Sequence, residues 1–489
     1  MIPFKSIIII DKDSGTPVYQ QLANGIIHSI RQGHLRRGLK LPGARLLAAE
    51  FGVHRKTLQM ALDELLAQGW LEIEPRKGTF VAKALPELHP AKFSSQQPPK
   101  EYPAKTLYPI KKVEYGFYPP TDFQHDRNLI IAEGFPDIRL APMRELMREM
   151  RSIERNKHLR KYYHYGNPQG STYLREPLSS FLSDTRGLPI SAENIIITNG
   201  AQMGLYLTAN LLLKPGDHVV VGEPGYHTAT LTLARTGATI NKVKVDECGI
   251  DVDAIERLCK KRKIRLVYVI PHHHHPTTVT LTPERRIRLL NLAAKYKFAI
   301  VEDDYDYDFH YTSSPMLPMA SLDRDGSVIY IGTLSKTVVP AIRIGFIVAP
   351  KTFIEAATQF RRSIEFHGDT LMEVSIAELY KNGVIANHIK KSVRIYRERR
   401  DNFCELLKGK LGNHVSFNIP EGGMCVWTKF HTGNLSKIAA DAARKGLTMS
   451  DGSAYNKVVK HNSTRLGFSP LNFNEQEKAL DILRSVVDK

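Results

Sequence analysis

A single lysine, Lys336, stands among small polar residues in the stretch GTLSK, which follows a run of β-branched and aromatic residues. Thr333 and Ser335 offer hydroxyl groups beside it, and Arg343 follows seven positions later with a fork-shaped guanidinium suited to phosphate. Taken alone, a lysine after a strand is most often an ordinary surface residue. With these neighbours, the pattern favours a nucleophilic lysine next to a bound phosphate.

Two further stretches supply groups that such a lysine would need. One stretch, VEDDYDYDF, places carboxylates and a phenol at another predicted strand end. The other, residues 199–202 (Asn-Gly-Ala-Gln), lies between a predicted strand and an apolar helix. The first backbone amides of that helix can hold a phosphate. Pyridoxal phosphate (PLP) uses all of these groups, because it forms a Schiff base with a lysine, pairs its pyridinium nitrogen with a carboxylate and has a phosphate to anchor. An aromatic residue, for which Tyr226 is the candidate, would stack on its ring.

The elements that must position these residues are visible as short apolar runs. ENIIITNG, DHVVVGEP, IRLVYVIP, KFAIVEDD and SVIYIGT alternate with helical stretches, and each run ends at a polar or glycine-rich turn. Runs of Val and Ile buried on both faces predict a mainly parallel sheet flanked by helices. Because ligands of open α/β sheets bind at the carboxyl ends of the strands, we expect the candidate residues to converge there.

The N-terminal part of the chain has a different pattern, that of a small helical domain with a β-hairpin. Residues 16–33 and 54–69 predict amphipathic helices with a shorter helix between them, and WLEIEPRKGTFVA predicts two strands around a tight turn. Three helices followed by a two-stranded ribbon form a winged helix-turn-helix, whose recognition helix enters the DNA major groove. A small helical domain with a solvated basic face is the alternative interpretation.

The residues predicted to contact double-stranded DNA follow from that docking geometry. The recognition helix begins at the candidate base-reading residues, and the start of the preceding helix would meet phosphate or base. The wing tip would bring the backbone close to the sugar-phosphate chain. The predicted DNA contacts are Arg45, His54, Arg55, Lys56, Thr57, Lys77 and Gly78.

Length, charge and cysteine usage bound the remaining possibilities. A chain of 489 residues is too long for one core, and we expect a DNA-binding domain at 12–83, a linker rich in proline and lysine at 84–125 and an α/β domain at 126–489. The net charge of +18 fits a polyanionic partner. Four scattered cysteines without a CxxC spacing, and no apolar run of about 18 residues, predict a cytoplasmic protein without a membrane span.

Two family resemblances cover nearly the whole chain. The segment from LPGAR to KGTFV resembles the GntR-type DNA-binding domain, although the family's LPSxR-like segment is here LPGAR. From about residue 126, the stretches YGNPQG, TNGAQ, EPGY, EDDYD, GTLSK and RLGF resemble the fold-type-I aminotransferases. In this order, the two parts resemble the MocR family of bacterial transcriptional regulators.

The aminotransferase resemblance implies a role for each matching residue. Lys336 would be the Schiff-base lysine, Asp303 the partner of the pyridine nitrogen and Tyr305 the partner of the ring hydroxyl. Arg465 resembles the arginine that binds an α-carboxylate, here that of an effector. The groups implied to hold the phosphate are Thr333, Arg343 and the backbone of Gly200 and Ala201.

The resemblance also implies a fold and a function. The fold is α/β, with a large aminotransferase-like domain of mainly parallel sheet and a smaller C-terminal α+β domain. The implied protein is a head-to-tail homodimer that binds operator DNA and senses an amine, an amino acid or a B6 vitamer through Lys336. Two alternatives stay open: an active aminotransferase with an appended DNA-binding domain, and a regulator that binds PLP non-covalently or not at all.

Three features depart from the family's pattern or admit a second interpretation. The family's PTG segment is replaced by residues 275–278, His-Pro-Thr-Thr, which lack the glycine and the asparagine before the proline. The run of four histidines, 272–275, could bind a metal, but adjacent side chains in an extended segment point alternately, which favours a loop that lines the site and predicts no metal. The basic run 388–403 predicts a solvated helix, with a secondary DNA contact as the alternative.

Overall fold

The computed structural model of this chain describes residues 4–11, 14–86, 104–110, 129–312, 316–455 and 461–488, without the side chains of Lys5 and Ser6. The chain divides into two compact units, residues 1–111 and 112–489. The predicted linker at 84–125 lies mostly outside the described residues, so its conformation stays a prediction. No described helix is long and apolar enough to cross a membrane.

The N-terminal unit has the order of elements expected for a winged helix-turn-helix. It contains α1 (Phe4–Ile7), α2 (Val18–Arg31), α3 (Ala44–Phe51), α4 (Arg55–Ala67), β1 (Leu71–Glu74) and β2 (Gly78–Val81), with the two strands paired antiparallel. Apolar residues at helical spacing, such as Leu22 on α2 and Leu58 on α4, bury one face of each helix in a single core. Phe4 and Ile8, which precede the predicted start of the domain at residue 12, are buried in the same core.

The C-terminal unit alternates strands and helices. It begins with β3 (Leu129–Ile130), α5 (Met143–Arg155), α6 (Thr172–Arg186), β4 (Ile195–Thr198), α7 (Ala201–Leu212), β5 (His218–Glu223), α8 (His227–Ala234), β6 (Thr239–Asp246), β7 (Gly249–Ile250) and α9 (Val252–Lys261). It continues with β8 (Ile264–Val269), α10 (Pro283–Tyr296), β9 (Ala299–Asp304), β10 (Val328–Thr333), β11 (Gly345–Val348), α11 (Lys351–Ile364), α12 (Thr370–Lys381) and α13 (Val384–Leu411). It ends with β12 (Val415–Phe417), β13 (Cys425–Phe430), α14 (Leu435–Arg444), β14 (Leu447–Thr448), β15 (Ser463–Gly467) and α15 (Phe473–Val487).

An eight-stranded sheet in the order β4-β11-β10-β9-β8-β5-β6-β7 forms the centre of this unit. Strands β10, β9, β8, β5 and β6 run parallel, whereas β11 is antiparallel to both of its neighbours and β7 is antiparallel to β6. The five apolar runs of the sequence are the strands β4, β5, β8, β9 and β10. The prediction of a mainly parallel sheet is therefore confirmed.

Helices cover both faces of this sheet, which explains why its strands β4, β5, β8 and β10 are mostly apolar without alternation. Ile196 and Ile331 belong to a core shared with α7, α8 and α11, whereas Ile195 and Tyr330 belong to a core on the other face with α6 and α12. Neighbouring residues of one strand therefore enter different cores. Each such side chain contributes roughly 1.5–3 kcal/mol of hydrophobic free energy, which favours apolar residues in the middle of these strands.

A second, smaller sheet lies near the C-terminus. Strands β12, β13 and β15 pair antiparallel and pack with α13 and α15 around one core, and β14 pairs with β3 over two residues. The basic run at 388–403 is part of α13. Its residues Tyr396 and Phe403 are buried in this core, while Lys391 and Arg394 are exposed, as expected for a helix with one solvated face.

Candidate functional site

A cavity of about 440 Å³ in the C-terminal unit collects the residues predicted to bind a cofactor. Its lining includes Ala201, Tyr226, Asp303, Tyr305, Thr333, Lys336, Arg343 and Arg465, together with Glu133, Phe135, His275 and Ser335. Gly200 immediately precedes Ala201 and contacts the same site through its backbone. The structure thus brings all nine predicted cofactor and effector residues together.

The parallel pairing of β9 and β10 explains how residues distant in sequence meet here. Ile331 of β10 lies opposite Asp303 of β9, so both strands end at the same edge of the sheet. Thr333 is the last residue of β10, and Lys336 follows it by one short turn. Because strands β4 and β5 end at this edge as well, their following residues, Gly200 and Tyr226, reach the same cavity.

Lys336 lies mostly buried in the cavity wall. Its Nζ donates a hydrogen bond to the carbonyl oxygen of Gly134 at 2.7 Å and lies 4.6 Å from the centre of the Phe135 ring. Burial lowers the pKa of the Lys336 ammonium, because the charged form loses its hydration. A lysine whose pKa is lowered has more of the neutral amine, which is the form that attacks a carbonyl group.

Asp303 presents a buried carboxylate with one oxygen in use and one free. Tyr268 donates a hydrogen bond to Oδ2 at 2.6 Å, whereas Oδ1 has no hydrogen-bond partner among the described residues. Burial raises the pKa of Asp303 to about 6, against the lowering effect of the Tyr268 hydroxyl. An unsatisfied oxygen on a buried carboxylate is costly, so this position fits a cationic N–H such as a pyridinium.

The first turn of α7 forms an anion cradle with Arg343. Gly200 precedes the helix at a φ of 78°, and a Cβ at this position would lie 2.3 Å from Nη2 of Arg343. Arg343 donates hydrogen bonds to Oγ of Ser335 and to the carbonyl oxygen of Asn199, each at 3.2 Å. Backbone amides at a helix N-terminus and a guanidinium are typical ligands of a phosphate group. The cradle, Asp303 and Lys336 together fit PLP.

Two aromatic residues complete the wall around the predicted cofactor position. The Tyr226 ring contacts the His275 ring at a centroid distance of 5.0 Å, and burial raises the pKa of Tyr226 to about 12, which keeps its phenol neutral. Tyr305 donates a hydrogen bond to the carbonyl oxygen of His273 at 2.9 Å. Both phenols therefore offer neutral, fixed contacts to a bound ring.

The departures from the family pattern have visible consequences. Nδ1 of His275 lies 2.7 Å from Nη1 of Arg465, and Nε2 lies 2.9 Å from the Tyr455 hydroxyl. Burial lowers the pKa of His275 well below its usual value, so the ring is neutral and both of its nitrogens already have protein partners. Thr278, in place of the glycine, adopts a φ of 62°, in the left-handed region that a β-branched residue rarely enters.

Two of the other histidines of the run, His272 and His273, are buried beside carboxylates, whereas Nδ1 of His274 lies 2.9 Å from Oγ1 of Thr277. Nδ1 of His272 lies 3.3 Å from Asp304, and Nδ1 of His273 lies 2.9 Å from Asp306. In the part of the chain that the structure describes, no group of three or more His, Cys, Asp or Glu side chains is arranged to hold a metal ion. These histidines therefore act as polar partners inside the fold.

The predicted DNA-contacting residues lie on the surface of the N-terminal unit. His54 precedes α4, and its Nδ1 accepts a hydrogen bond from the amide of Lys56 at 3.2 Å. The helix therefore begins at the residues predicted to contact DNA. Arg55 and Lys56 are exposed, and Thr57 is half-buried. Arg45 lies exposed in the first turn of α3. Lys77 lies in the exposed turn between β1 and β2, where it pairs with Glu74 at 3.1 Å, and the exposed Gly78 is the first residue of β2.

Three residues of the cavity and its surroundings were not predicted. Glu133 and Tyr455 contact each other and the side chains around Arg465, and Tyr268 holds Asp303. Two of them leave a signal in the sequence. Tyr268 is a hydroxyl-bearing residue in the otherwise aliphatic run IRLVYVIP, and a buried phenol needs an acceptor. Glu133 is a carboxylate directly after the apolar run LIIA.

Comparison with known proteins agrees with this division of the chain. Residues 136–483 match the family model "Aminotransferase class I and II", and residues 18–81 match "Bacterial regulatory proteins, gntR family". The chain is 29% identical to the probable rhizopine catabolism regulatory protein MocR of Rhizobium meliloti, over 86% of this chain and 84% of that protein. It is 28% identical to the HTH-type transcriptional regulator TauR of Rhodobacter capsulatus, over 87% and 86% of the two chains.

Among solved structures, the C-terminal unit is similar to an archaeal alanine:glyoxylate aminotransferase. The TM-score is 0.70 at 29% identity, and the alignment covers 75% of this chain and 92% of that one. Aminotransferases of this fold are PLP-dependent enzymes. The residues matched by the aminotransferase family model, 136–483, include all nine predicted cofactor and effector residues, whereas Glu133 and Phe135 of the cavity lining precede them.

Proposed function

We propose that this chain, which belongs to the aminotransferase class I and II family, regulates transcription by sensing a small amine, amino acid or B6 vitamer at Lys336. It joins the aminotransferase domain to a gntR-family DNA-binding domain, as MocR-type transcriptional regulators do. One observation carries the proposal. A partly desolvated lysine, a carboxylate with a free oxygen and a helix-terminal anion cradle line a single cavity on a chain that also binds DNA.

PLP supplies a reactive aldehyde and an electron-accepting ring when it is bound. In this proposal, Arg343 and the first amides of α7 would hold the phosphate, and Asp303, whose Oδ1 has no described partner, would accept the pyridinium N–H. Tyr226 and Tyr305 orient the ring from the cavity wall. Lys336, held by the Gly134 carbonyl, provides the amine with which an effector amine competes.

Competition at Lys336 offers a way to change the protein's state. A ligand shifts DNA binding only when it binds the two states of the regulator with different affinities. An effector amine that takes the place of the Lys336 amine at the cofactor would free the lysine side chain from the position that this side chain has without effector. We propose that this change is the signal, and that the segment between the two units transmits it.

The DNA partner is reached through α4 and the wing. Arg55, Lys56 and Thr57 would meet base edges and phosphates from the N-terminus of α4, and Lys77 and Gly78 would meet the backbone from the wing. Aminotransferase-like folds are typically dimeric. We propose a head-to-tail homodimer that acts in the cytoplasm on a two-part operator.

The first experiment is an absorbance spectrum of the purified protein with PLP, before and after borohydride reduction. We expect a visible band that reduction fixes to the protein and that Lys336→Ala removes, because Lys336 is the one lysine among the described residues that line the cavity. Lys351→Ala, which removes an exposed lysine outside the cavity, should keep the band. Titration with amines and amino acids then identifies ligands that change both the band and the affinity for operator DNA.

Two results would contradict parts of this proposal. If Lys336→Ala keeps a normal effector response in operator binding, sensing does not use the lysine. If the protein instead converts an amino acid into its keto acid over many turnovers without any effect on operator binding, it acts as an aminotransferase with an appended DNA-binding domain.

A further inference from the structure

The arginine expected to bind an α-carboxylate already has a carboxylate partner within this chain. Nε of Arg465 lies 3.0 Å from Oε2 of Glu133, at an angle that makes the contact an ion pair rather than a hydrogen bond. The two side chains are only 2% and 10% exposed. A buried ion pair of this kind resists separation, because either partner alone would be left as an uncompensated charge.

Glu133 and Arg465 are part of a closed polar ring with His275 and Tyr455. Arginine is always a donor, so Nη1 of Arg465 donates to Nδ1 of His275 at 2.7 Å, and Nε2 of His275 must carry the proton. That N–H donates to the Tyr455 hydroxyl at 2.9 Å, which in turn donates to Oε1 of Glu133 at 2.8 Å. The donors Nη1 of Arg465, Nε2 of His275 and the Tyr455 hydroxyl therefore each meet an acceptor, and the ion pair between Nε of Arg465 and Glu133 closes the polar ring.

Each pair of adjacent nitrogens on Arg465 includes at least one that already contacts a group of this chain. A bidentate carboxylate requires two adjacent N–H groups of a guanidinium. Two of the three nitrogens of Arg465 face Glu133 and His275, and the third, Nη2, lies 3.5 Å from the Tyr305 hydroxyl. An incoming α-carboxylate would have to displace Glu133, which would then lose its charge partner inside the protein.

The space beside Glu133 accommodates an effector without that carboxylate. A second cavity, of about 320 Å³, shares Glu133, Phe135, Tyr226 and His275 with the first one and extends towards Thr448 and Ser450. Glu133 thus lies at the boundary between the position of the reacting amine and the room for the rest of the molecule.

Building on the proposed function, we infer that Glu133 is a specificity-determining residue that occupies Arg465, and that the effector reacting at Lys336 is a primary amine without an α-carboxylate. Removing the charge of Glu133 then restores a free guanidinium, and α-amino acids gain affinity. Because an α-amino acid then no longer has to separate a buried ion pair, its affinity should rise on the order of 100-fold.

The test uses the full-length, PLP-loaded protein and pairs of ligands that differ only in the carboxylate: 3-methylbutylamine with L-leucine, and phenethylamine with L-phenylalanine. Their affinities are measured from the visible absorbance band and, independently, from the melting temperature of the protein. In the wild type, at least one amine should bind more tightly than its amino acid by at least about tenfold. In Glu133→Gln, the amino acid should gain on the order of 100-fold while the amine changes by less than about threefold.

Controls separate the possible failures. Glu149→Gln changes a glutamate paired with Arg148 on α5, outside the cavity lining, and should leave both affinities unchanged. Glu133→Ser provides a second variant, with the same expected gain in amino-acid affinity, should the glutamine variant fold poorly.

Equal affinities for amine and amino acid in the wild type, or no gain for the amino acid in either variant, would overturn the inference. A wild type that shows no visible band with PLP would overturn the proposed function and this inference with it.

Discussion

Asp303 shows how a single buried carboxyl can make cofactor binding depend on pH. Its Oδ2 accepts the Tyr268 hydroxyl and its Oδ1 faces the cavity without a described partner. Burial raises the pKa of Asp303 to about 6. Because the raised pKa means that the carboxyl is protonated below about pH 6, the anion that would pair with a pyridinium is lost as the pH falls.

We predict that the affinity for PLP is constant above about pH 7 and falls by up to about tenfold per pH unit below about pH 6. The Asp303→Asn variant should bind PLP weakly at every pH, and it should lose this step in affinity between about pH 7 and pH 6. Tyr268→Phe removes the hydrogen bond that lowers the pKa of Asp303, so the step should move to a higher pH. Titrations of PLP binding from about pH 5 to pH 8 check this, and a step that persists in Asp303→Asn would assign it to another group.

At the scale of the element, the start of α7 depends on a backbone that only glycine adopts freely. Gly200 has a φ of 78° and a ψ of 171°, and Gly345 of β11 lies so close that a Cβ there would be 2.4 Å from the carbonyl carbon of Gly200. The last residue of β4, Thr198, donates from Oγ1 to the Gly200 carbonyl at 3.0 Å. The anion cradle is thus set by close packing of two strands and a helix.

Gly200→Ala should lower the affinity for PLP by at least about tenfold, because the new methyl group displaces Arg343 and the cradle loses a charge-assisted contact. The backbone strain itself costs roughly 1–3 kcal/mol of stability. Gly216→Ala is the matched control, since Gly216 has a φ of 89° and nothing within 4 Å of its Cβ position. Both variants should melt at a lower temperature, and an equal loss of PLP affinity in both would show that the cradle does not depend on Gly200.

At the scale of the whole molecule, two compact units carry separate chemistry. The core of the N-terminal unit is formed by its own helices and strands, and every described residue that lines the lysine cavity belongs to the C-terminal unit. A change in the recognition helix should therefore alter DNA binding and leave the cofactor site as it is.

Arg55→Ala should weaken binding to DNA selected by the wild type from random duplexes by roughly 1–3 kcal/mol, as for an arginine that reads a base. The visible PLP band should stay unchanged. Arg36→Ala removes the same charge outside α4 and should lower affinity for selected and unselected DNA alike. The interpretation fails if Arg55→Ala loses the same free energy on both kinds of DNA.

The sequence was sufficient for those features that depend on local patterns. Unbroken runs of Val and Ile predicted the central strands, and the lysine, carboxylate and glycine motifs at their ends predicted a common cavity. Strand β11 was not predicted, since its four residues GFIV follow a turn without a clear break and pair with β4 and β10 only in the folded sheet. The contact between Glu133 and Tyr455 joins residues 322 positions apart, so no local pattern reveals it.

The secondary structure that supports the cavity differs from one wall to another. Lys336, Asp303 and Arg343 are backed by an eight-stranded sheet with helices on both faces. Glu133 instead follows β3, a strand that pairs with β14 over two residues and is the first described element of its unit. A ligand that enters beside Glu133 therefore contacts a wall anchored by a two-residue strand pair and by the buried Glu133–Arg465 ion pair, whereas the wall around Lys336 is anchored by the whole sheet.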